Sequence, residues 1–202
     1  MVPVALVGVW VLWRTATPLP PLQRVPALIF GVAVVALYAT SSLYHVPGRW
    51  SARARRVLCR CDGAFTVLLI VGTFVPVAYY TLEGAWRQWS LVGAGIVAVV
   101  GAAVAALSLH TPRWAAAAGY VLVGWLTVIP FVMIARVLPT PAVVLLAMGG
   151  ALYTVGALVF ARRRPDPAPS WFGFHEVFHA FVVVASVAHF VAIWRYVIPG
   201  AA

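Results

Sequence analysis

Residues 174–197 read FHEVFHAFVVVASVAHFVAIWRYV. This run is long enough to cross a bilayer, because a helix needs about 20 apolar residues to do so. Its charged side chains, Glu176 and Arg195, sit at its two ends, and three histidines interrupt it: His175, His179 and His189. Six further apolar segments lie upstream, at Met1–Trp13, Val25–Tyr44, Ala64–Tyr80, Trp89–Leu109, Trp114–Ala135 and Ala142–Ala161. Pro, Gly and Arg punctuate the gaps, as in Pro47-Gly48-Arg49, Pro139-Thr140-Pro141 and Arg162-Arg163-Arg164-Pro165-Asp166-Pro167. No repeat of fixed period is present. The expected fold is therefore all-α and integral to a membrane. It is a seven-transmembrane helix bundle forming one domain over residues 1–202.

The composition agrees. Of 202 residues 64% are hydrophobic and 9% charged, a balance that excludes an ordinary soluble domain. The net charge of +10 comes from 14 arginines and no lysine. These arginines lie in short loops between apolar spans, where they act as topology signals and meet anionic headgroups rather than nucleic acid. The Ala-, Val-, Arg- and Gly-rich usage suggests a bacterium with a GC-rich genome, and hence the inner (plasma) membrane. Met1–Trp13 is too short to span alone. It extends past Arg14 or begins further upstream, and it lacks the basic start and the cleavage site of a signal peptide. Cys59 and Cys61 stand beside an arginine cluster. They read as two small residues or as a Cys-x-Cys metal clamp, not as a disulfide framework.

Arginine placement orients the spans. Arg49, Arg53, Arg55, Arg56, Arg60, Arg113, Arg162, Arg163 and Arg164 fall on one side, and Arg14, Arg24, Arg87, Arg136 and Arg195 on the other. The positive-inside rule puts the dense side and the amino terminus in the cytoplasm, and the carboxyl terminus outside. With that threading His45, Asp62, His175 and His179 all fall at the cytoplasmic ends of their spans.

Ionisable groups in membrane spans are costly and usually mark function. His175 and His179 are four apart and share a helix face, as do Ser41 and His45. Three neutral imidazoles around Zn²⁺ leave a fourth position for water, the open arrangement of a catalytic site. His45, His175 and His179 are thus the expected metal ligands. Asp62 is placed to accept a proton from the water or to position it, and Ser41 to hydrogen-bond it. The ordinary alternative for each histidine is an interfacial or helix-capping residue. Residues 175–179 also fit H-E-x-x-H, in which Glu176 would be a general base; otherwise Glu176 solvates the interface. His189 reads as a core hydrogen-bonding residue or a proton relay, and His110 as a loop-edge histidine. Gly72-Thr73-Phe74-Val75-Pro76 reads as a packing and kink element.

At Ser41-Ser42-Leu43-Tyr44-His45, Asp62 with Gly72-Thr73-Phe74-Val75-Pro76, Gly149-Gly150-Ala151-Leu152-Tyr153-Thr154-Val155-Gly156, and His175-Glu176-Val177-Phe178-His179 with Ala188-His189-Phe190, the chain resembles the hemolysin III family. That family belongs to the wider progestin and adipoQ receptor group, which includes the adiponectin receptors. The resemblance runs from about the second segment to the end. It implies a seven-helix bundle with the amino terminus inside and zinc held by His45, His175 and His179. It also implies a water held by Ser41 and Asp62. Alkaline ceramidases, which use a similar set on a lipid amide, extend the implication to a membrane lipid or fatty-acyl substrate. Family members usually carry a polar stretch before the first span, which this chain lacks. Four functions follow as expectations: a zinc-dependent lipid hydrolase, a receptor-like or membrane-homeostasis protein with structural zinc, a pore-forming cytolysin, and an intramembrane metalloprotease using Glu176.

Overall fold

Each of the seven apolar segments forms helix in the computed structural model, which describes residues 2–46, 50–107, 111–168 and 172–201. The helices are α1 (Val2–Ala16), α2 (Val25–Tyr44), α3 (Ala52–Thr81), α4 (Gly84–Leu107), α5 (Arg113–Leu126), α6 (Phe131–Val137), α7 (Thr140–Arg162) and α8 (Phe174–Ala192). No strand occurs among the described residues. Met1, Pro47-Gly48-Arg49, Leu109 and His110 lie outside them. Five helices are long and apolar enough to cross a membrane, or six if α5 and α6 together make one bent span.

Three segments differ from their sequence boundaries. α1 does continue past Arg14, but its 15 residues reach only about 22 Å at 1.5 Å per residue. The fifth segment is not continuous, because α5 and α6 meet at a 50° bend. Pro130 stands at that break, where its ring and missing N–H end a helical ladder. α3 begins at Ala52, well before Ala64, so Arg53, Arg55, Arg56 and Arg60 lie on helix and not in a loop. Its 30 residues extend about 45 Å, against a hydrocarbon layer of about 30 Å. Ser51 starts it by accepting the Ala54 N–H at 3.2 Å, the usual N-cap contact.

The chain divides into two compact units, Met1–Leu109 with Val197–Ala202, and His110–Tyr196. In the first, α1 packs on α2, α2 on α3 and α3 on α4. Small residues set these approaches, as membrane helix packing requires. A Cβ on Gly31 would lie 3.0 Å from Val9 Cγ2, one on Gly72 3.0 Å from Ala33 Cβ, and one on Gly101 2.9 Å from Val67 Cγ1. The 72–76 stretch thus packs as expected, and α3 runs on through Pro76 to Thr81. At one end of this unit the Tyr80 hydroxyl donates to the Gln23 carbonyl, joining the end of α3 to the start of α2. Arg24 donates to the carbonyls of Leu19 and Thr17 there, and Arg87 to that of Leu82.

In the second unit α7 packs along α8, and α5 packs on α7. Trp125 Nε1 donates to Thr154 Oγ1 across the latter contact at 3.3 Å. α7 ends where Arg163 turns left-handed at φ 54°, a common helix stop. The first amides of α8 are both held. Gly173 N–H donates to Glu176 Oε2 at 2.9 Å and Phe174 N–H to Asp166 Oδ1 at 2.8 Å.

Candidate metal centre

The first unit brings Ser41, His45 and Asp62 together. Ser41 lies in the last turn of α2, and His45 closes that helix, its N–H bonded to the Ser41 carbonyl at 3.1 Å. The His45 ring stands edge-on to Tyr44, with centroids 4.9 Å apart. Arg55 in turn lies over the Tyr44 ring at 5.5 Å. Trp50 Nε1 donates to the Leu43 carbonyl at 2.7 Å. Asp62 is not at the start of its helix, as its segment boundary suggested, but about three turns in, because α3 begins early. Ser41 and His45 are near enough to act on its carboxylate. Its Oδ1 is buried and has no hydrogen-bond partner.

The second unit carries the paired histidines. One helical turn apart on α8, His175 and His179 point their Nε2 atoms at each other, 2.9 Å apart. Their rings are nearly perpendicular, with centroids 4.5 Å apart. Phe160 of α7, Phe174 and Phe178 surround His175 at centroid distances of 6.1, 6.3 and 6.1 Å. Aromatic walls of this kind fix a ring orientation that four-residue spacing alone leaves open. Phe160 was not foreseen from the sequence; it sits on another helix and carries no motif.

Glu176 engages the start of its own helix. It is exposed, and its carboxylate accepts the Gly173 amide. A residue one position from His175 lies about 100° round the helix, so the side chain caps the helix and leaves the paired nitrogens. His189 follows its core reading, with Nε2 at 3.0 Å from the Leu146 carbonyl. Cys59 and Cys61 are free thiols. Two positions on a helix differ by about 200°, so they point apart and cannot clamp one ion.

A family model described as Haemolysin-III related matches residues 1–190. The chain is 28% identical to Hemolysin-3 of Bacillus cereus over 181 residues, covering 86% of this chain and 75% of that protein. It is 28% identical to the heptahelical transmembrane protein ADIPOR2 of Oryza sativa subsp. japonica, covering 88% of this chain and 86% of the other. Progestin and adipoQ receptor-like protein 1 of Caenorhabditis elegans is 25% identical over 91% of this chain and 46% of its own length.

Proposed function

The chain belongs to the haemolysin-III related family of integral membrane proteins, and on that premise we propose that it is a zinc-dependent hydrolase of a membrane lipid. In this reading residues 1–202 form one seven-helix domain, α5 and α6 together make the fifth span, and α1 makes the first. The amino terminus lies in the cytoplasm and the carboxyl terminus outside. His45, His175 and His179 are the ligands, since each offers one ring nitrogen. The observation that carries the reading is the convergence of the His175 and His179 Nε2 atoms. At this distance a neutral pair shares one Nε2–H, and with both rings in the Nδ1–H tautomer the same two nitrogens offer two lone pairs to one cation.

A zinc ion with three protein ligands keeps one place for water and brings the pKa of that water to about 7. The rest is the work of this chain's side chains. Asp62 holds a buried, unpartnered carboxylate oxygen that can take a proton from the attacking water. Ser41 lies near that carboxylate and can hydrogen-bond the same water. The phenylalanines around His175 keep its ring turned toward His179 and keep bulk water away. The substrate is a fatty-acyl amide or ester whose carbonyl reaches the cytoplasmic headgroup layer.

A second reading is favoured by the same bare Oδ1: Asp62 as a direct fourth ligand, which closes the shell and makes the zinc a staple in a receptor-like protein. Metal analysis of purified protein and lipid turnover separate the two. Hydrolysis predicts about one zinc per chain and release of fatty acid from ceramides, phospholipids or fatty acyl amides. Neither should survive in a His45, His175 and His179 triple alanine variant. Full zinc in that variant removes the site. Zinc without any product above the variant leaves the receptor-like reading.

A further inference from the structure

The α7–α8 contact holds a polar cluster that the metal chemistry does not use, and its protons can be assigned one by one. A carbonyl only accepts, so His189 Nε2 carries the hydrogen in its 3.0 Å contact with the Leu146 oxygen. A neutral imidazole protonated there has a bare lone pair at Nδ1. Ser186 Oγ donates its one hydrogen to the Val182 carbonyl at 2.8 Å. In the 2.7 Å contact between the Tyr153 hydroxyl and Ser186 Oγ the donor is therefore Tyr153. The Tyr153 ring lies 5.6 Å from that of His189. Gly149 makes the arrangement fit, because a Cβ there would come within 2.3 Å of the His189 Cδ2 and Nε2 atoms. What is left over is His189 Nδ1, buried and without a hydrogen-bond partner.

Buried acceptors are matched by donors in the great majority of cases, and no described residue supplies this one. We propose that His189 Nδ1 is the acceptor of a second intramembrane site, which takes one neutral O–H group, from a bound water or from a lipid alcohol. The chemistry narrows the ligand. A ketone or an ester has no hydrogen to give. An ammonium would carry charge into the hydrocarbon layer at high cost. Ten residues separate His189 from His179, about 15 Å along the helix, so the site is distinct from the histidine pair. It stands on α7 and α8 alone and does not depend on the hydrolase reading.

The test is the ¹⁵N spectrum of histidine-labelled, full-length protein in lipid nanodiscs. Gly149→Ala, which must shift the His189 ring, assigns its signal, and His189→Gln does so if the first variant fails to fold. The expected wild-type signal is an Nε2–H tautomer with Nδ1 displaced toward the hydrogen-bonded position. Displacement in protein stripped of lipid, with exchange to water, identifies a water. Displacement that needs added 1-hexadecanol, and that its methyl ether does not reproduce, identifies a lipid hydroxyl. Nδ1 at the bare-imidazole position under all these conditions, or protonated, overturns the proposal.

Discussion

Asp62 and Glu176 are two of the four acidic residues in the chain, and their surroundings assign them different work. Asp62 lies near Ser41 and His45 and keeps one bare buried oxygen. Asp62→Asn preserves shape and removes the charge. If Asp62 takes the water's proton, zinc content stays at about one per chain while lipid turnover falls by about 10²-fold or more. A fall in zinc affinity with the same variant would instead make Asp62 a ligand. Glu176 caps α8 through the Gly173 amide. Glu176→Gln retains an acceptor there, so the variant should lose only about 0.3–1 kcal/mol from the helix-dipole contribution and keep turnover within about twofold. A loss of about 10²-fold or more with zinc still bound would make Glu176 the base after all. The shared faces of His175 with His179 and of Ser41 with His45 were legible in the sequence as i, i+4 pairs, and Asp62 stood out as a lone acidic residue beside an apolar run. Phe160, Tyr153 and Ser186 were not legible as partners, because their contacts join different helices and no linear spacing encodes them.

Elements were legible where hydropathy alone decides them. All seven apolar runs became helix, since each buries its own backbone hydrogen bonds. The boundaries moved where polar residues are compatible with helix. Hydropathy does not see that arginine is a good helix former, so α3 starts before its apolar run and carries Arg53–Arg60 on its surface. The bend between α5 and α6 was hidden for the opposite reason, because Pro130 lies inside an unbroken apolar run. Close helix approach gives a paired prediction. Gly72→Ala would place a Cβ 3.0 Å from Ala33, whereas a Cβ on Gly150 meets nothing within 4 Å. Gly72→Ala should destabilise by about 1–3 kcal/mol through overpacking. Gly150→Ala should be neutral or stabilising by about 0.5–1 kcal/mol, since it relieves the cost of glycine in a helix. Unfolding in detergent, followed by circular dichroism, measures both. Equal effects would mean that α2 and α3 do not approach at Gly72.

At the scale of the molecule the open quantity is orientation, and the arginines bear on it. Within the first unit two of the sparse-side arginines are engaged locally: Arg24 and Arg87 hold loop carbonyls. Arg24 also lies over Trp13, and Arg87 over Tyr79, each at 5.5 Å. The bias remains nine against five, with the dense clusters all on one side. The arginine-rich start of α3 should therefore face the cytoplasm. Cys59 lies in that stretch and is exposed, which supplies a native probe. A membrane-impermeant maleimide should label Cys59 in inverted membrane vesicles and leave it unlabelled in intact spheroplasts. Cys59→Ala should remove that label, which separates it from Cys61. A reporter fused after Ala202 should be active only outside the cytoplasm, because seven crossings return the carboxyl terminus to the opposite side. Labelling of Cys59 in intact spheroplasts would reverse the orientation. A cytoplasmic carboxyl terminus with Cys59 also inside would instead remove one crossing between α3 and α8, and the α5–α6 pair, bent by 50°, would be a re-entrant loop and not a span.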